Sequence, residues 1–301
     1  MGCSGARGRV RTRSIVGDGA VVARAFAAAL GWLFVERVLN PRYDATDRVV
    51  FVSDVHLYYE GDAYLEQFLV FLDGVRERGT AALYVHGDLF DFYVGPRQGK
   101  RPFYAPLFER LRALVTAGVP VGILHGNRDF LMGKRFTEAG CTVLPDEITL
   151  QLGDRTVHLS HGDQFCIHDT SYQFWARGVL RAGPFRFLVR NLPVPIATWL
   201  ARRYRKVSAR KFKKHATGRT SRLPTVLDGV KRLVEAGAHD DVICGHIHHL
   251  ATTPIVTGER SATLWTTGAW EEGPNFVLWE EGVLALRRFD PATRAAAAPA
   301  S

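Results

Sequence analysis

Seven side chains of this 301-residue sequence fall into five short polar clusters: Asp54 with His56, Asp88, Asn127, His161, and His246 with His248. Together they offer three oxygen donors and four imidazoles. A mixed oxygen and imidazole set of that size suits two divalent ions of borderline softness, such as Mn, Fe, Zn or Co. The chemistry such a pair performs is hydrolytic. A bridging carboxylate keeps two cations about 3.5–4 Å apart, where they acidify a shared water and clamp phosphoryl oxygens for in-line attack. An Asn donor brings no charge, so the site stays electropositive enough to accept a phosphate. A lone DxH or GHxH arises by chance in many chains. The weight lies in finding five clusters, each in the same local setting.

That setting is the end of a short β-branched run. Val49 to Val52 leads into Ser53-Asp54-Val55-His56, and Ala82 to Val85 leads into His86-Gly87-Asp88. Val119 to Leu124 precedes His125-Gly126-Asn127-Arg128-Asp129, and Thr156 to Leu159 precedes Ser160-His161-Gly162-Asp163. Asp241 to Cys244 precedes Gly245-His246-Ile247-His248-His249. Helical patterns at Tyr64 to Arg78 and Pro106 to Ala117 separate some of these runs. Strands alternating with helices predict an α/β sheet system, in which chemistry gathers at the carboxyl ends of strands.

In this order, DxH, GDxFD, GNxD, H and GHxH resemble the calcineurin-like metallophosphoesterase family from about Val49 to Phe289. The resemblance implies an α/β fold, a two-sheet β-sandwich flanked by helices (αββα). It implies that Asp54, His56 and His248 hold one metal, that Asn127, His161 and His246 hold the other, and that Asp88 bridges them. Asp91, His125 and Asp129 are expected to hydrogen-bond the ligands or the loop backbone. His86, His158, His168, His239 and His249 are read as surface or supporting residues, and Trp270 as core.

Longer runs narrow the resemblance. His125 to Phe136, Gly87 to Phe90, Leu144 to Glu147 and Gly268 to Trp270 are similar to the UDP-2,3-diacylglucosamine diphosphatases of that family. This implies a lipid A pathway hydrolase that attacks the α-phosphorus of its UDP-linked lipid and releases UMP and 2,3-diacylglucosamine 1-phosphate. It further implies two divalent ions, manganese foremost, and a peripheral position on the inner face of the cytoplasmic membrane. Headgroup contacts are expected from Asp169 and Tyr172, and from Arg205, Ser208 and His215.

Arg128 carries its own argument. The usual family pattern has His where this chain has Arg128. Arginine cannot serve as a general acid, because its pKa lies above about 12. It can grip a phosphate bidentately and offset transition-state charge. An alkoxide leaving group needs a proton, whereas a phosphate leaving an anhydride does not. Arg128 therefore favours pyrophosphate cleavage over alkyl ester hydrolysis.

The charge distribution points the same way. The chain has 39 basic and 30 acidic residues, net +9. Between Arg177 and Arg222 lie 14 Lys and Arg and no acid, so the remainder holds 25 basic against 30 acidic residues, net −5. That stretch sits in a helical, proline-punctuated insert, 171–224, with Phe185, Phe187, Leu188, Trp199 and Leu200 among its arginines. The combination suits an anionic membrane surface or an amphipathic lipid. Nucleic acid is a disfavoured partner.

Three segments follow from this reading: an N-terminal extension, 1–48, with an amphipathic helix; a metallophosphoesterase domain, 49–290, including the basic cap; and a flexible tail, 291–301. The helix expected from Ala20 to Leu39 is read as packing on the domain, with a membrane-surface helix as the competing reading. Glu36-Arg37 stand where a small-residue cleavage site would follow a signal sequence, so secretion is not expected. Four scattered cysteines give no disulfide framework. Two other functions compete: a phosphoesterase on the same fold that acts on another nucleotide pyrophosphate or on nucleic acid, the latter calling for His at 128 and a DNA-capping domain, and a non-catalytic scaffold, which would call for lost ligands. The sequence leaves oligomeric state open.

Overall fold

A computed structural model describes residues 41–57, 63–170, 173–174, 178, 182–201, 203, 223–237 and 239–298. The strands are β1 (Arg42–Tyr43), β2 (Val49–Val52), β3 (Ala82–His86), β4 (Val121–Leu124), β5 (Thr142–Val143) and β6 (Glu147–Leu152). They continue with β7 (Arg155–Ser160), β8 (Asp241–Cys244), β9 (Ala251–Thr257), β10 (Arg260–Thr266), β11 (Asn275–Glu280), β12 (Val283–Asp290) and β13 (Ala295–Ala297). They form two mixed sheets, ordered β13-β12-β11-β2-β3-β4-β5 and β1-β6-β7-β8-β10-β9.

The apolar runs read as uninterrupted because both faces of their strands are covered. In β2, Val49 and Phe51 point between the sheets, among Tyr84, Leu150, Leu159, Ile243 and Val277. Val50 and Val52 point outward, beneath helices α1 (Ala63–Glu77) and α2 (Ala105–Thr116), where Phe68, Leu72, Phe108 and Leu111 meet them. Two further helices are α3 (Gly183–Asn191) and α4 (Leu223–Ala236). Val226, Val230 and Val234 of α4 cover the other sheet over Val242, Cys244 and Leu264. Each such side chain contributes about 1.5–3 kcal/mol when fully buried. This is the expected sandwich with helices on its outer faces.

Strand direction brings the polar clusters together. β2, β3 and β4 are adjacent and parallel, and so are β7 and β8 in the facing sheet. Their five carboxyl ends open on one rim. The helices fall close to their expected ranges.

The body extends at both ends beyond 49–290. Arg42 and Tyr43 pair in parallel with Gln151 and Leu152, and the Tyr43 hydroxyl lies 2.8 Å from that of Tyr84. Ala295 to Ala297 pair with β12 inside the stretch expected to be a loose tail, and Arg294 meets Glu77 at 3.3 Å. Two- and three-residue strands are too short to carry a period, and their partners lie far away in sequence. The helix expected at 20–39 lies outside the described residues.

Of the cap, α3 and helical residues 194–201 are described, seated on the body through Phe92, Val94 and Ala197. Their outer side keeps Phe187 72% and Trp199 58% exposed, with Leu188, Ile196 and Leu200 also exposed. No helix among the described residues is long and apolar enough to cross a membrane. Cys141, Cys166 and Cys244 are free and buried.

Candidate metal centre

Beyond the strand ends, the first two motif loops run side by side. The N–H groups of Asp54, His56 and Leu57 donate to the carbonyls of Gly87, Asp88 and Leu89 at 3.2, 3.1 and 2.9 Å. This ladder carries Asp54, His56 and Asp88 out of the sheet in fixed register. A second set of bonds joins the sheets across the rim. Gly245 N–H donates to the His161 carbonyl at 2.9 Å, and His246 N–H lies 3.1 and 3.2 Å from the two Asp54 carboxylate oxygens.

The backbone at these positions is strained. Asp54, His56, Asp88, His246 and His248 all take left-handed φ values between 49° and 69°. Among the described non-glycine residues, only Glu281 and Arg294 do likewise. Such conformations cost of the order of 1 kcal/mol or more each and persist where the surroundings over-determine them. Two glycines permit the crowding. A Cβ at Gly245 would stand 2.0 Å from Asp54 Oδ2, and one at Gly126 would stand 2.1 Å from Asp88 Oδ1.

The side chains converge. His248 Nε2 lies 3.3 Å and His56 Nε2 3.8 Å from Asp54 Oδ1. Asp88 faces both ways, with Oδ2 at 3.6 Å from His56 Nε2 and Oδ1 at 3.5 Å from His161 Nε2. Asn127 Oδ1 lies 3.1 Å from His161 Nε2 and 3.2 Å from His246 Nδ1. His161 Nδ1 faces the His86 carbonyl at 3.2 Å, a position from which it can donate and leave Nε2, beside the Asn127 oxygen, to a cation. Bonds of about 2.0–2.2 Å to one ion set its ligands roughly 3–3.6 Å apart. His56 Nε2 and Asp88 Oδ2 are also buried without a hydrogen-bond partner. Two three-residue groups have donor atoms close enough to share an ion: Asp54, His56 and His248, and Asp54, Asp88 and His161. The residues therefore fit a pair of cations.

Electrostatics agree. Burial pushes His56 and His246 down to about 4, so both rings are neutral donors at neutral pH. Burial alone would raise Asp54, but His248, His161 and His56 hold it well below the usual range. Burial would lower His161, yet Asp88 and Asp54 raise it, marking a place where positive charge is favoured. Asp129, buried and near Asp88, is pushed up to about 7.

The supporting residues occupy distinct places. Asp129 accepts Gly126 N–H at 2.8 Å and Phe90 N–H at 3.3 Å, tying two motif loops. His125 Nε2 lies 2.9 Å from the Met132 carbonyl. Asp91 accepts the Arg128 guanidinium at 3.0 Å, and Arg128 Nε stands 3.3 Å from Asp88 Oδ2. Asp169 is exposed beside the cap, while Tyr172, Arg205, Ser208 and His215 lie outside the described residues. Trp270 is core, packed on Phe68 and Phe71, and its backbone N–H donates to the Asp54 carbonyl at 3.1 Å.

Three contributors had no signal of their own in the sequence. Ser53 Oγ donates to Asp54 Oδ2 at 2.5 Å and lies 2.6 Å from Thr267 Oγ1. Glu271 brings a carboxylate to 3.9 Å from His56 Nδ1, on the side of the ring away from Asp54 and Asp88 and beyond hydrogen-bond distance. Thr267 and Glu271 flank Gly268 to Trp270, the one sequence hint to them.

The calcineurin-like phosphoesterase family model matches residues 47–250. The chain belongs to the calcineurin-like phosphoesterase family. The chain is 32% identical over 243 residues to the UDP-2,3-diacylglucosamine hydrolase of Pseudomonas fluorescens (strain Pf0-1), covering 80% of this chain and 96% of that protein. It is 34% identical over 227 residues to the enzyme of the same name from Pseudomonas aeruginosa (strain PAO1), covering 74% and 91%. A third, from Enterobacter sp. (strain 638), is 34% identical over 240 residues, covering 78% and 96%.

Proposed function

We propose that this phosphoesterase hydrolyses the pyrophosphate of UDP-2,3-diacylglucosamine at the α-phosphorus, giving UMP and 2,3-diacylglucosamine 1-phosphate for lipid A biosynthesis. The observation that carries the reading is the convergence of seven donors on one rim beside an arginine, in a chain similar along most of its length to UDP-2,3-diacylglucosamine hydrolases.

Asp54, His56 and His248 would hold one divalent cation, and Asn127, His161 and His246 the other, with Asp88 between them; manganese is the ion we expect. Bound there, the two cations supply Lewis acidity to a phosphoryl group and to a water. The chain's own residues do the rest. His161 keeps its Nε2 free by donating from Nδ1 to the His86 carbonyl. Asp88 spans the two halves of the site with one oxygen toward each. Arg128 offers guanidinium N–H groups to the phosphate and offsets the charge that builds as the bridging oxygen departs. It moves no proton, and the departing phosphate needs none.

The apolar outer side of the cap, in a stretch of chain rich in arginine, supports attachment to an anionic membrane surface, where the lipid substrate resides. In this reading the enzyme works at the cytoplasmic face of that membrane. Asp169 and, beyond the described residues, Tyr172, Arg205, Ser208 and His215 would contact the headgroup.

The test is incubation with Mn²⁺ and either UDP-2,3-diacylglucosamine or single-stranded DNA. UMP release that disappears in Asp88→Ala is expected. DNA cleavage without UMP release would reject the reading.

A further inference from the structure

We propose that Asp91 is a positioning residue, whose buried carboxylate holds the Arg128 guanidinium in its phosphate-binding pose. The proposal rests on the reading of Arg128 as a phosphate contact.

Arg128 is tied to one segment of chain at three points. Its N–H donates to Asp88 Oδ1 at 3.0 Å, its carbonyl accepts Tyr93 N–H at 3.1 Å, and its Nη1 donates to Asp91 Oδ1 at 3.0 Å. Asp91 is itself fixed. It is 2% exposed, and its N–H donates to the Leu57 carbonyl at 3.1 Å, closing the ladder between the two motif loops. The Arg128 side chain keeps 25% exposure, so part of the guanidinium faces the open rim while one edge is held from behind.

The electrostatics say why a holder is needed. Arg128 stands beside a centre built for two cations, and a free guanidinium would be repelled when they bind. Asp88, the other carboxylate within reach, is shared with His56 and His161 in the candidate ligand set. Asp91 is a counter-charge outside that set. A neutral residue at 91 would leave the arginine only Asp88, whose carboxylate is committed to the candidate ligand set, and freer to rotate outward.

The experiment is a double-mutant cycle on the Mn²⁺-loaded protein with Asp91→Ala, Arg128→Ala and the double variant, plus Asp91→Asn. Inorganic phosphate binding is measured by calorimetry, metal content by elemental analysis, and kcat and KM on UDP-2,3-diacylglucosamine and on bis(4-nitrophenyl) phosphate. Metal content is expected to stay unchanged. Phosphate affinity is expected to fall about 10- to 100-fold in each single variant, the range for losing an orienting partner, and no further in the double. Asp91→Asn, which keeps an acceptor and loses the charge, is expected between wild type and Asp91→Ala, and it carries the test where Asp91→Ala does not fold. Additive losses, wild-type phosphate affinity in Asp91→Ala, a wild type that binds no phosphate, or metal loss in the Asp91 variants would each overturn the proposal. If the diester is cleaved and the UDP-lipid is not, the substrate assignment fails instead, and the cycle is read on the diester.

Discussion

Replacing Gly126 by alanine adds one methyl group at a crowded point of the rim. The new Cβ would meet Asp88 Oδ1 at 2.1 Å and the Asp88 backbone nitrogen at 2.3 Å. Ordinary contact begins at about 3.4 Å, so one loop must retreat by roughly 1.1–1.3 Å. No rotamer change relieves a clash with a backbone atom. The retreat carries Asn127 or Asp88 with it, and a displacement of about 1 Å costs about 100-fold in rate where positioning dominates. The same change at Gly74, inside α1, meets nothing within 4 Å. Removing a helix-interior glycine there should stabilise by about 0.5–1 kcal/mol and leave activity intact. The assay compares Mn²⁺ retained after dialysis, turnover and thermal midpoint in both variants. Gly126→Ala with wild-type metal content and turnover within threefold would refute the claim that bare glycine backbone sets the spacing of the ligands.

Other consequences can be measured independently. Arg128→His should lower pyrophosphate cleavage about 100-fold, the scale for losing a charge-stabilising donor; retention of full activity would remove the leaving-group argument. His158 is buried with Nε2 3.7 Å from Glu147 and its ring edge-on to His239, and burial pushes it down to about 4. The unfolded chain therefore binds that proton first, so stability is full above about 6.5 and is lost as the pH falls toward 4. His158→Gln should flatten urea-unfolding free energies between pH 6.5 and 4.5 by up to about 1.4 kcal/mol per pH unit, and equal slopes would contradict this. Phe187→Ser with Trp199→Ser should weaken partition onto anionic vesicles at least tenfold while leaving phosphate binding unchanged. Unaltered partition would separate this face from the membrane.

Much of the site was legible because its determinants are local. A β-branched run followed at once by Asp, Asn or His marks a strand end, and parallel pairing of β2, β3 and β4 turns separate strand ends into one rim. The glycines before Asn127 and His246 mark close backbone approach, although the identity of the neighbour came only from the fold. What stayed hidden depends on long-range contact. Tyr43 meets Tyr84 and Arg294 meets Glu77 across distant segments, so β1 and β13 lacked any local signal. Glu271 reaches His56 from 215 positions away. β9 was obscured by Pro254, which the strand tolerates because it lies at a sheet edge. Asp91 was legible as a supporting residue, but its partner Arg128 emerged only when the two loops were seen side by side.

The central claim is that water attacks the α-phosphorus of UDP-2,3-diacylglucosamine at this rim. The direct measurement is one turnover by the Mn²⁺-loaded protein in ¹⁸O-labelled water, with both products analysed by mass spectrometry. The account predicts one ¹⁸O atom in UMP, none in 2,3-diacylglucosamine 1-phosphate, and no label in either with Asp88→Ala. Label in the lipid phosphate, or no turnover by the metal-loaded wild type, would contradict it.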